Sequence, residues 1–213
     1  MMPIWPCSNS SRRNCICSPY VPMLFACILM ARILASAQGD ALTLPRNLGD
    51  LVSESQVVLQ GTVTGVTLEP HMQLKNLMTV VVTIQVEEAL KGQPGNVYTF
   101  RQAVIDPREQ RQRMGYQTGQ HVLLMLIKPS QFGLASTAGL HQGRFRIDAR
   151  ADGTLQATNG AGNMGLFRGL TQYVQAKGLQ LTPEARALAA KTEGGPVSLE
   201  QLKSLIRTLA TEK

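Results

Sequence analysis

Apolar positions alternate with period two through the middle of the chain. In Thr79–Leu90 (TVVVTIQVEEAL), Val80, Val82, Ile84 and Val86 fall on one face, with Thr79, Val81, Thr83, Gln85 and Glu87 on the other. That alternation predicts a half-buried strand, and its β-branched residues suit a pleated surface better than a helix. Val57–Val66 (VVLQGTVTGV) predicts a second strand, in which Gly61 and Gly65 mark a bulge or bend of the kind barrels need. A loop is expected between them at Thr67–Leu77, and Lys91–Gly95 (KGQPG) is dense turn chemistry before a third strand, Val97–Arg101. Gln102–Gln120 is the longest irregular connection, a length usually tied to function or mobility. His121–Lys128 (HVLLMLIK) is apolar on both faces, hence a buried strand that stops before Pro129. Gly143–Arg150 and Thr154–Thr158 flank Ala151-Asp152-Gly153, a hairpin signal.

The pattern then changes. A short helix, Leu48–Ser55 capped by Asn47, already precedes the strands. After Thr158 strand signals cease, and Asn159–Asn163 (NGAGN) reads as a flexible bridge. Phe167, Leu170 and Val174 repeat at helical spacing up to Gly178, and Thr182-Pro183-Glu184 starts a further helix. Ser198 and Gln201 form a capping box for a last helix, with Leu199, Leu202, Ile206 and Leu209 along one side. The fold expected is mainly β: a small OB-like barrel over residues 38–160, then a helical segment at 161–213, α+β overall.

Residues 1–37 read as a signal peptide. Arg12 and Arg13 supply a positive start, Val21–Leu34 an apolar run broken by Arg32, and Ala35-Ser36-Ala37 a small-residue site cleaved between Ala37 and Gln38. An uncleaved leader would be a membrane anchor instead, although the run is shorter than the ~20 clean apolar residues of a span. Ser11-Arg12-Arg13 partly matches a twin-arginine signal, and Leu24–Cys27 partly a lipobox. The expected location is periplasmic or secreted.

Composition narrows the chemistry. All four cysteines (Cys7, Cys15, Cys17, Cys27) lie in the leader, which removes disulfides, thiolate metal sites and cysteine nucleophiles from the processed chain. The leader carries three of the 21 basic residues and none of the 14 acidic ones, so the remainder balances at +4. That mild charge, with 5% aromatic residues, argues against nucleic acid.

No reaction is legible. His71, His121 and His141 are the only imidazoles, and none sits at a metal-ligand spacing. Glu87 and Glu88 are adjacent, which on a strand sends them to opposite faces as solvated charges. Serines lie outside every nucleophile motif, and Asn159–Gly162 lacks the Lys-Ser/Thr of a phosphate loop. Neither metal nor cofactor is expected. Arginine rises above background: Arg108, Arg111 and Arg113 share the long connection, and Arg101 leads into it. Arg144 and Arg146 alternate with Phe145 and Ile147, so both project outward from an inward apolar pair. Together these six form a candidate guanidinium-lined groove for a carboxylate, phosphate or glycan, set against an ordinary solvated basic face.

The run Gln56–Lys128 resembles the netrin-like module, the OB-type barrel also used by tissue inhibitors of metalloproteinases. The residues that carry this are Val57, Val58, Gly61 and Val63, then Val86, Leu90, Lys91 and Gly92, then Gly119, Val122, Leu123, Leu124 and Leu126. With the closing Gly143, Phe145 and Ile147, the chain is similar to a group of exported bacterial proteins of no assigned activity. The resemblance spans about 90 residues, Val57–Ile147, and implies fold more than function. The inhibitors chelate a protease zinc through an N-terminal cysteine. Gln38 offers none, so that mechanism does not carry over.

The function expected is that of an exported, non-catalytic binding module. It would recognise a protein or an anionic ligand through the barrel face and the 102–120 connection. The alternative is a structural or envelope-assembly component docking through its last helix, with an enzyme third. An exposed apolar stripe on that helix would favour docking, and a packed one the self-contained module.

Overall fold

The computed structural model describes residues 44–104 and 115–211. Its backbone follows the alternation. Strand β1 (Val57–Pro70) pairs with β2 (Met78–Lys91), and β2 with β3 (Val97–Ala103). On its other side β1 pairs with β4 (His121–Leu126), which leads on to β5 (Arg144–Ala149), β6 (Leu155–Asn159) and β7 (Val197–Ser198). The result is one antiparallel sheet of order β3-β2-β1-β4-β5-β6-β7. Residues 134–137 bridge β4 at Leu126–Thr137 and β3 at Arg101–Leu134, which curls the first four strands into a small barrel. The mainly β, α+β architecture is as expected.

Two apolar cores share this sheet. Leu59, Val63, Val82, Ile84, Phe100, Val122 and Leu124 fill the barrel. Leu123, Met125, Phe145 and Ile147 point the other way, against four helices. These are α1 (Leu48–Glu54), α2 (Leu170–Ala176), α3 (Pro183–Ala189) and α4 (Leu199–Ala210). The caps form as the sequence predicts: the Asn47 side chain accepts from Asp50 N at 3.0 Å and Thr182 from Ala185 N at 3.2 Å. Leu199, Leu202, Ile206 and Leu209 are all buried, so the stripe of α4 is packed rather than exposed.

Two of the three slips in the β1–β2 register fall where glycine marks them, and the third lies between Val58 and Leu59. Register slips between Gln60 and Gly61 and again between Val63 and Gly65. A Cβ on Gly61 would run into the Gln85 carbonyl oxygen and come within 2.7 Å of Ile84 Cγ2, so close backbone approach requires glycine there. The Leu90-Lys91-Gly92 motif has a mechanical reading. Leu90 enters the helix-side core, and the Lys91 ammonium donates to Val52 O at 2.7 Å, satisfying a carbonyl in the last turn of α1. Gly92 turns the chain at φ +76°, where a Cβ would lie 2.8 Å from Gln56 O.

Several expectations are corrected. β1 runs four residues past Val66, because Thr67–Pro70 keep pairing with Val81–Met78, so the expected 67–77 loop shrinks to 71–77. Asn159–Asn163 is a polar knot rather than a flexible bridge. Asn159 Oδ1 accepts from Asn163 N at 2.7 Å, Asn163 Oδ1 accepts from Asn159 N at 2.9 Å, and Asn163 Nδ2 donates to Ala157 O and Gly195 O. Strand signals end at Thr158, yet Val197 and Ser198 add a seventh strand, too short to leave a periodic pattern. Neither glutamate is simply solvated. At the bulge Glu87 accepts from Gln60 Nε2 at 2.9 Å and Thr62 Oγ1 at 2.7 Å. Glu88 pairs with Lys203 at 2.9 Å and with Arg207, both on α4.

Burial opposes ionisation of Glu88, but hydrogen bonds from Arg207 and Lys203 outweigh it and hold the carboxyl below its ordinary 4.5. Lys203 is 8% exposed and also pairs with Glu200 at 2.6 Å, so losing Glu88 weakens the hold on a buried ammonium without stranding it, and Arg207, 47% exposed, loses little. Glu88→Gln is expected to cost about 1–3 kcal/mol in urea unfolding. The gap between the two proteins should be full above pH 4.5 and close as pH falls through the lowered folded-state value. A gap that persists unchanged into acid would mean that the ion pair is not its source. Independently, Gly61→Val should lower stability by about 1–3 kcal/mol, read as a shift in urea midpoint at constant slope.

Candidate functional site

The ladder decides where the arginines go. Arg144 pairs with Leu124 and Arg146 with Val122, and paired residues share a face, so both guanidiniums lie on the barrel side of the sheet. Phe145 and Ile147 are buried on the opposite side, as the alternation predicts. Arg144 is half-buried, its guanidinium carbon 5.0 Å from the ring centroid of Tyr116. Tyr116 is 4% exposed, meets Phe100 edge-on at 5.6 Å and donates its hydroxyl to Gln102 Oε1 at 3.3 Å. The platform under Arg144 is therefore set by β3 and by the residues just before β4.

Arg146 borders a small cleft of about 320 Å³ with Gln117, Thr118, Gly119 and Gln120. Its Nε donates to Asp148 at 2.8 Å in an exposed pair. Gln120 Oε1 is buried and, among the described residues, has no hydrogen-bond partner. Arg101 is engaged elsewhere: it donates to Glu69 at 2.5 Å and to Thr79 Oγ1 at 2.9 Å, tying β3 across β2 to the end of β1. A second cleft, about 220 Å³, runs along β3 beside Tyr98, Phe100, Arg101, Pro129 and Gly133. Both are at or below the small end of the ~300–1,000 Å³ typical of ligand pockets, dimensions that suit a surface contact. Arg108, Arg111 and Arg113 lie outside the described residues, as do Ala37 and Gln38.

The histidines have structural surroundings. Both ring nitrogens of His71 are used: Nδ1 accepts from Gln73 N and Leu74 N at 3.2 and 3.0 Å, which leaves Nε2 to donate to Phe132 O at 3.0 Å. His121 is exposed at the start of β4, and His141 is half-buried in the turn before β5. Among the described residues no group of His, Cys, Asp or Glu is arranged to hold a metal ion, and no helix is long and apolar enough to cross a membrane. Sequence reading missed Tyr116. A lone aromatic just before a buried strand was its only signal.

No family model, curated protein or solved structure matches the chain, so the netrin-like resemblance rests on its motifs.

A double-mutant cycle tests the platform. Arg144→Ala and Tyr116→Leu should couple by about 0.5–1 kcal/mol in unfolding free energy, the value of a partly exposed cation–π contact. Strict additivity would mean that Arg144 gains nothing from the ring.

Proposed function

We propose that the chain is an exported binding module that recognises a protein or an anionic ligand without turnover. Its recognition surface would be the barrel side of β5 and the 102–120 connection, with Arg144 and Arg146 as the cationic contacts. The observation that carries this reading is the seating of Arg144 on Tyr116. A guanidinium held by a buried ring loses less rotamer freedom on binding than one on a free stem. The adjacent cleft adds Arg146. Export, to the periplasm or beyond, is supported by the leader with its Ala37–Gln38 cleavage site.

The rival reading, an envelope-assembly component docking through its last helix, loses its contact surface because the stripe of α4 is buried. Enzymatic function finds little support in a buried histidine whose two nitrogens are both tied to backbone.

The test is a pull-down from the native envelope with the chain from Gln38 onward, compared with Arg144→Ala/Arg146→Ala and with Arg108→Ala/Arg111→Ala/Arg113→Ala. Circular dichroism checks that all three fold alike. Loss of charge-assisted contacts worth about 1.5–3 kcal/mol predicts roughly tenfold or greater loss of capture in the first variant. Equal capture by all three would sink the arginine surface.

A further inference from the structure

The end of the β1–β2 hairpin carries apolar side chains that no core absorbs. Among the described residues eight large hydrophobic side chains are exposed, and four of them gather here: Leu68, Met72, Met78 and Phe132. Leu68 and Met78 sit at the end of the β1–β2 ladder, where Pro70 pairs with Met78. Met72 is 92% exposed at the hairpin tip. Phe132 comes from another loop, Pro129–Leu134, brought alongside by the His71 bond to its carbonyl oxygen.

This tip is preorganised. His71 N donates to Leu77 O at 2.8 Å, and the His71 ring holds Gln73 N and Leu74 N from within the loop. Ser130 N donates to Leu134 O at 2.8 Å and closes the second loop. Such a surface gives up little conformational entropy on contact. Its charge has one sign. Residues 70–78 and 127–143 contain Lys75 and Lys128, both exposed, and no Asp or Glu. The nearest acid along the chain, Glu69, is neutralised by Arg101.

We propose that this end of the molecule is a lipid-surface contact: it rests on an anionic bilayer, with Met72 and Phe132 entering the headgroup boundary and Lys75 and Lys128 facing the acidic headgroups. Protruding apolar side chains beside cations are the combination by which peripheral segments bind such interfaces. An acidic protein groove would match the charge equally. A bilayer is favoured because it asks for no shape match from four apolar side chains that come from two separate loops, whereas a protein groove does.

The chain's single tryptophan, Trp5, lies in the leader, so Phe132→Trp in a Trp5→Phe full-length background places one indole at the tip. Any partitioning of the leader itself is then silent in fluorescence. With vesicles of phosphatidylglycerol and phosphatidylcholine, the emission should shift to the blue and be quenched by lipids brominated on their acyl chains. Adding Met72→Ser, or Lys75→Gln with Lys128→Gln, should raise the lipid concentration at half-shift about tenfold. Circular dichroism confirms that each variant is folded. An emission maximum that stays put, even as the chain sediments with the vesicles, overturns the proposal. So does an equal shift on pure phosphatidylcholine. A shift produced only by a lipid-free envelope protein fraction would reassign the tip to a protein contact and overturn it as well.

Discussion

Burial of β4 on both faces is the constraint on which the rest depends. Val122, Leu124 and Leu126 close the barrel interior, while Leu123 and Met125 face the helices, so one six-residue strand is the wall between two cores. Each buried aliphatic side chain contributes about 1.5–3 kcal/mol, an upper estimate because a compact unfolded chain already hides part of that surface. The two cores are thereby coupled. A β4 slipped by one residue would exchange every side chain between barrel and helical layer, and both would fail together. The same register sets Arg144 opposite Leu124 and Arg146 opposite Val122. The position of the candidate recognition surface is thus a by-product of core packing.

The turn after β2 shows how a motif that invites a functional reading can be mechanical. Leu90, Lys91 and Gly92 each answer a separate physical need: an apolar anchor, a cation for the end of α1, and a backbone that must turn where a side chain would strike Gln56 O. Their joint effect is to lock α1 to the β2–β3 corner. Resemblance carried by such residues speaks to architecture, because architecture is what they serve.

Period-two alternation made β2 legible, and glycines in an otherwise β-branched run made the bulges at Gly61 and Gly65 legible. Double-sided apolarity identified β4, and cap chemistry placed α1, α3 and α4. What stayed hidden was long-range. Asn159 and Asn163 look like linker residues until their side chains find Gln142 O, Ala157 O and Gly195 O. Glu88 looks solvated until a helix more than a hundred residues later delivers Lys203. Tyr116 gave no periodic signal, and its value comes from Phe100, Gln102 and Arg144, which no local window joins. The arginine set divided for the same reason. Arg101 is drawn to Glu69 by strand register, which adjacency in sequence could not foretell.

The chain beyond Cys27 has no cysteine, so the domain must hold its ends without disulfides. Polar ties over long loops take that role. Gln142 binds Leu44 O and Arg46 N, Asn163 reaches Gly195, His71 reaches Phe132, and Lys203 reaches Glu88. A hydrogen bond contributes about 0.5–1.5 kcal/mol net, against about 2–4 kcal/mol for a disulfide, so several such ties match one covalent link. The two solutions behave differently under stress. A disulfide acts mainly on the unfolded ensemble and survives local opening, whereas these bonds exist only in the folded state and break one at a time. The His71 clamp holds two exposed loops with little core beneath them. The Asn159–Asn163 knot is buried and faces the packed helices. Local opening should therefore begin at the hairpin tip and reach the knot only when the shared wall of β4 gives way.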